Sequence, residues 1–88
     1  MSEAPWSLRV ATSAKRDLRR LDPPIRARVV AALEKLAADP HSGQLRKLTG
    51  KPESKLRVGE WRVLVTLDET SKTIHVVRVL PRGRAYDR

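Results

Sequence analysis

The alternation of apolar periods predicts an α+β domain of order β-α-α-β-β-β, a helical hairpin covering one face of a mainly antiparallel, twisted sheet. Three observations carry that reading. Asp22-Pro23-Pro24 is a helix start signal, an N-cap residue followed by residues whose fixed φ suits a first turn, and Asp39-Pro40 is the matching stop. Beyond a loop containing Gly43, Gly50 and Pro52, the apolar period changes from helical to alternating. Within the alternating part, Gly59-Glu60 separates Lys55-Leu56-Arg57-Val58 from Trp61 to Leu67, as a two-residue hairpin turn would.

The elements follow in order. Trp6 to Ala11 alternates well enough for a short first strand. Thr12 or Ser13 can cap a first helix that points Lys15, Arg16, Arg19 and Arg20 outward and Leu18 and Leu21 inward. In the second helix Ile25, Val29, Leu33 and Leu36 recur at near-helical spacing. His41 to about Ser54 reads as a loop that Leu45 and Leu48 tack onto the core. Asp68 to Lys72 forms a second turn, and Thr73 to Leu80 a third β-rich run that Pro81 and Gly83 end before an Arg-rich tail. Repeats, linkers and low-complexity stretches are absent, so residues 1–88 form a single domain.

A chain of 88 residues buries only roughly 60–65% of the surface it exposes when unfolded, which leaves one thin core and places any active site on a face or in a shallow groove. Nineteen Lys and Arg against ten Asp and Glu give +9, the profile of a polyanion binder in a chain still 40% apolar. Near the C-terminus Arg78, Arg82, Arg84 and Arg88 are opposed by Asp87 alone. With no Cys, and with His41 and His75 far apart, neither a disulfide framework nor a zinc site is expected, and no metal or cofactor is assigned. No apolar run approaches the roughly 18 residues of a membrane span, and the segment through Trp6 lacks the plan of a signal peptide. A cytoplasmic protein without membrane contact is expected.

If Gly59-Glu60 is the turn, antiparallel partners sum to a constant: Val58 faces Trp61, Arg57 faces Arg62 and Leu56 faces Val63. Leu56, Val58, Trp61 and Val63 then share the side the helices cover, and Lys55, Arg57 and Arg62 share the other. Like charges placed opposite destabilise a sheet, so Arg57 against Arg62 calls for an anion between them, and phosphate is the obvious one. The third run returns to the end where Arg62 lies, and Arg82, Arg84 and Tyr86 follow from there. Tyr86 is the only tyrosine and lies among charges near the terminus, an unusual place for a core aromatic.

At these residues the sequence resembles the RelE toxins of bacterial toxin–antitoxin pairs, within the RelE/ParE superfamily, from about Trp6 to Tyr86. Leu45-Arg46-Lys47-Leu48-Thr49-Gly50, leading through Lys55 to Val65, looks like the family's loop, basic strand and "RVGxYRVLY" hairpin. Val79-Leu80-Pro81-Arg82-Gly83-Arg84-Ala85-Tyr86 looks like its closing "vxHRxxxY" signature. The resemblance implies the β-α-α-β-β-β fold and ribosome-dependent cleavage of mRNA in the decoding site. It also implies inhibition by a cognate acidic antitoxin, with operator DNA met only through the antitoxin complex. By position, Lys55 and Arg57 match the family's basic pair, Arg62 its hairpin Arg, Arg82 its C-terminal Arg and Tyr86 its Tyr. Trp61 stands where Tyr is usual, Pro81 where His is common, and Arg57 where some members have a second Lys.

RNA cleavage without metal uses the neighbouring 2′-OH as nucleophile, so a site must remove that proton, stabilise charge at phosphorus and protonate the leaving 5′-oxygen. His75 reads as a packed or surface strand residue and His41 as a solvated loop residue. The base is then Lys55, its pKa depressed by Arg57 and Arg62, or Tyr86, which can alternatively stack on a splayed nucleotide. Arg57 and Arg62 hold the scissile phosphate, Arg82 stabilises charge near the leaving group, and Arg84, Arg46 and Lys47 contact the RNA backbone. Two other readings compete: a ParE-like toxin that inhibits gyrase without a nuclease site, against which Lys55, Arg62, Arg82 and Tyr86 together argue, and a non-catalytic RNA-binding module that uses the same basic face.

Overall fold

The computed structural model describes residues 5–81. Its elements are β1 (Ser7–Val10), α1 (Thr12–Arg19), α2 (Pro23–Ala38), β2 (Leu45–Lys47), β3 (Ser54–Val58), β4 (Trp61–Asp68) and β5 (Thr73–Pro81). They form a five-stranded sheet of order β1-β5-β4-β3-β2, antiparallel except for β1, which runs parallel to β5. The expected α+β class, with two helices on one face of a mainly antiparallel sheet, is the one observed. The loop expected between His41 and Ser54 differs: Leu45–Lys47 is a strand pairing with β3. Leu45 packs against the core, whereas Leu48 lies outside the core cluster.

The helices start and stop largely where their signals lie. Asp22 is the N-cap of α2 with Pro23 and Pro24 opening its first turn, although the Asp22 side chain makes no capping bond, and Asp39 closes the helix. Ala11, not Thr12 or Ser13, is the N-cap of α1. The Ser13 hydroxyl instead donates to the Val77 carbonyl at 3.0 Å, tying the helix to β5. At the other end of α1, Arg26 donates to the carbonyls of Leu18 (3.0 Å) and Leu21 (2.9 Å), a cation where the helix dipole and the orphan carbonyls favour one. No helix among the described residues is long and apolar enough to cross a membrane.

Ala14, Leu21, Val29, Leu33 and Leu36 from the helices meet Leu56, Val63, Val65, Ile74 and Val76 from the sheet in the core. Each of these strand residues sits on the helix-covered face, so the pleat sends its neighbours to the other. A bulge between Leu64 and Val65 keeps β5 in step: Leu64 pairs with Arg78 but Val65 with Val76.

The edge of β5 poses a separate problem. β1 accompanies it only as far as Val76, and its later N–H groups would otherwise face an unpaired edge. α1 lies along that stretch, and its single carboxylate, Asp17, accepts the Val79 backbone N–H at 2.8 Å and both nitrogens of the Arg78 fork at 2.8 and 3.2 Å. Burial pushes the Asp17 carboxyl upward, but the Arg78 and Val79 hydrogen bonds and the charges of Arg78 and Arg20 together hold it below the usual aspartate value. A carboxyl depressed in the folded state loses its proton more readily there than in the unfolded chain. Its stabilisation is complete above the ordinary aspartate range and is lost as pH falls through the folded value. Asp17→Ala should therefore cost about 1–3 kcal/mol at neutral pH, because the Val79 N–H is left without its partner. Denaturant melts across pH should also show a shallower loss of stability in acid for the variant than for wild type; parallel curves would contradict this role for Asp17.

Candidate functional site

The turn between β3 and β4 sets the site. Gly59 has φ +59°, at the first of the two turn residues, where an L side chain would be strained. The resulting register is the expected one, pairing Val58 with Trp61, Arg57 with Arg62, Leu56 with Val63 and Lys55 with Leu64. β2 extends it by one strand, placing Arg46 opposite Lys55. Cross-strand partners share a face, so Arg46, Lys55, Arg57 and Arg62 converge on the face away from the helices, where with Gln44 they line a concavity of about 330 Å³.

Two like-charge pairs thus lie directly across strands, Arg46 with Lys55 and Arg57 with Arg62. Each opposes folding. The arrangement lowers the Lys55 pKa below the ordinary lysine value, first through burial of the ammonium and then through the charges of Arg62, Arg46 and Arg57. Arg57 reaches back to the Gly59 carbonyl at 3.4 Å, a weak bond that leaves the guanidinium exposed at the rim. The chemistry available is that of an anion clamp holding an amine easier to deprotonate than lysine usually is.

The same fold occurs in known toxins. The family model described as the ParE toxin of the type II toxin–antitoxin system parDE matches residues 8–86. The chain belongs to the RelE/ParE toxin family. In the RelBE2 toxin–antitoxin complex from Mycobacterium tuberculosis, a chain 30% identical superposes with a TM-score of 0.82, over 91% of this chain and 94% of that one. The isolated RelE toxin of E. coli superposes at 0.78 with 18% identity over 90% and 86%. A chain of the chromosomal ParDE system of P. aeruginosa superposes at 0.72 with 15% identity over 89% and 97%. No curated protein matches the sequence.

Of the site residues read from the sequence of this RelE/ParE toxin, the fold brings Lys55, Arg57, Arg62 and Arg46 together. Lys47 goes elsewhere: one residue from Arg46 along β2, it points to the other face and lines a separate groove with Pro40, His41, Leu45 and Leu67. Arg82, Arg84 and Tyr86 lie outside the described residues. β5 ends at Pro81, which pairs with Trp61, while Leu80 pairs with Arg62. Gln44 is the member that sequence reasoning missed, since an amide in a glycine-flanked stretch gives no signal until β2 is paired. The electrostatic reading can be checked directly: Arg62→Ala removes the neighbouring charge with the largest effect and admits water, so the Lys55 pKa should rise toward the ordinary lysine value in a side-chain NMR titration. An unmoved Lys55 would contradict it.

Proposed function

We propose that this toxin is a metal-independent endoribonuclease that cuts mRNA in the decoding site of the ribosome. The observation that carries the reading is the convergence of Arg46, Lys55, Arg57 and Arg62 on one open concavity, at a cost to sheet stability that a bound phosphate would offset. Arg57 and Arg62 hold the scissile phosphate and its transition state. Lys55 takes the 2′-OH proton, its lowered pKa bringing it nearer the working range of a general base. Tyr86 either transfers a proton or stacks on a base, Arg82 neutralises charge near the leaving oxygen, and Arg84 contacts the backbone. A site built on Arg and Lys is a weak acid–base catalyst. The ribosome supplies the positioning such a site lacks, so free RNA is a poor substrate.

The partners follow from charge and from the relatives. The M. tuberculosis relative was solved with its antitoxin, and a +9 domain suits an acidic antitoxin with a helix that lies on the helical pair. A second reading has one observation in its favour: the matching family model carries the ParE description, and ParE-like members of this fold inhibit gyrase without a nuclease site.

Brief expression in cells followed by mapping of mRNA 5′ ends separates the two. In-frame cuts within translated regions are expected from the wild-type chain, and Arg62→Ala and Arg82→Ala should each abolish them with little change in thermal stability. Uncut messages together with inhibited gyrase would overturn the nuclease reading. For Tyr86, replacement by Phe keeps the ring and removes the hydroxyl. If that hydroxyl moves a proton, single-turnover cleavage on programmed ribosomes should slow by roughly 10²–10⁴-fold. If the ring only stacks, Phe should cut at nearly the wild-type rate, and Ala should lose on the order of 1–3 kcal/mol in positioning.

A further inference from the structure

The cleavage site uses one face of the sheet and leaves the strongest charge cluster of the helical layer without a role. On α1 the inward positions are Ala14, Asp17 and Leu18, followed by Leu21 just beyond the helix. Lys15, Arg16, Arg19 and Arg20 are all exposed on its other side. Lys15 and Arg19, and Arg16 and Arg20, stand at i,i+4, where like charges oppose helix formation. The first turn of α1 carries no acid to relieve them. The only carboxylate of the helix, Asp17, faces inward and is engaged by Arg78 and Val79. None of the four cations takes part in an ion pair among the described residues.

Among the described residues only the inward-facing Asp17 acts on this face, through Arg20, and four exposed cations so placed fit an external polyanion. The one large hydrophobic exposed among the described residues is Val30 on α2, and only Arg20, at the C-terminal end of the quartet, borders a groove with apolar lining, from Leu21, Trp61, Val79 and Leu80. Protein interfaces are built on buried apolar or aromatic anchors, whereas contacts to a nucleic-acid backbone need charge alone. Lys15 and Arg19 lie about 6 Å apart along the helix axis, as do Arg16 and Arg20, so the four form a compact quartet that can meet successive phosphates. We propose that the outer face of α1 is a second RNA-binding surface, on which Lys15, Arg16, Arg19 and Arg20 grip the phosphate backbone of structured RNA beside the message, independently of sequence. The choice of RNA rests on the ribosomal reading above; the anionic, backbone-type ligand rests on α1 itself.

The test uses the whole chain in three forms: wild type, the quadruple variant Lys15→Gln, Arg16→Gln, Arg19→Gln, Arg20→Gln, and Lys55→Gln with Arg62→Gln. Binding to purified ribosomes without message is measured by co-sedimentation at several salt concentrations. Four lost phosphate contacts should flatten the salt dependence, so the wild type should lose about 10²-fold more affinity than the quadruple variant between about 50 and 200 mM salt. The Lys55/Arg62 variant should keep most of its ribosome binding and lose cleavage. Melting temperatures close to wild type exclude misfolding, and relief of the like-charge pairs should if anything raise that of the quadruple variant.

If the wild type ignores ribosomes, the ribosomal reading fails by itself, and an RNA duplex of arbitrary sequence then serves as the probe for α1. A quadruple variant that binds the ribosome, or in that case the duplex, with unchanged affinity and salt slope overturns the proposal. So does one that loses only an acidic antitoxin, which would make α1 a protein interface, or only duplex DNA.

Discussion

The register across the Gly59-Glu60 turn is the constraint on which the rest depends. A slip of one residue between β3 and β4 would turn one strand over relative to the other, sending either Leu56 toward solvent and Arg57 into the apolar layer beneath the helices, or Val63 and Arg62 likewise. The two faces therefore enforce each other: hydrophobic burial on one side holds two like-charge pairs together on the other. Gly59, at φ +59°, adopts the turn without the strain a side chain would add, so register, core and cation cluster follow from one backbone position.

The second layer solves a different problem with the same economy of charge. β5 lies between β4 and the edge strand β1, yet β1 pairs only with its first half, and α1 takes over where β1 stops. The Ser13 hydroxyl and the Asp17 carboxylate replace strand partners, and Arg78 keeps that carboxylate ionised. With its only acid committed to the sheet, α1 carries only positive charges outside. Holding β5 in place also fixes the Leu80 and Pro81 end, beside Arg62 and Trp61.

Much of this was legible in the residues. Asp22-Pro23-Pro24 and Asp39-Pro40 bound α2, and counting outward from Gly59-Glu60 placed Lys55, Arg57 and Arg62 on one face, because both signals are local. What was not legible depends on distant pairing. Leu45–Lys47 is three residues long and flanked by Gly43 and Gly50, so nothing local marks it as a strand, and its parity is set only once Arg46 meets Lys55. That parity separates Arg46, which joins the site, from Lys47, which does not. The bond from Asp17 to Val79 spans 62 residues, and the carboxylate could equally have been read as one more exposed charge on α1. The capping role expected of Thr12 or Ser13 failed for a related reason: a tertiary acceptor on β5 claims the Ser13 hydroxyl.

The central claim is that the basic concavity cuts RNA through the neighbouring 2′-OH while the ribosome holds the strand in place. It is tested most directly by single-turnover reaction of the purified toxin with ribosomes programmed with a message carrying one 2′-deoxy nucleotide at the cut position, beside an all-ribose control. The control should be cut to a 2′,3′-cyclic phosphate end. The substituted message should bind as well and remain intact. Cleavage of the deoxy message at the same position, or an uncut control on ribosomes that bind the toxin, would contradict the account.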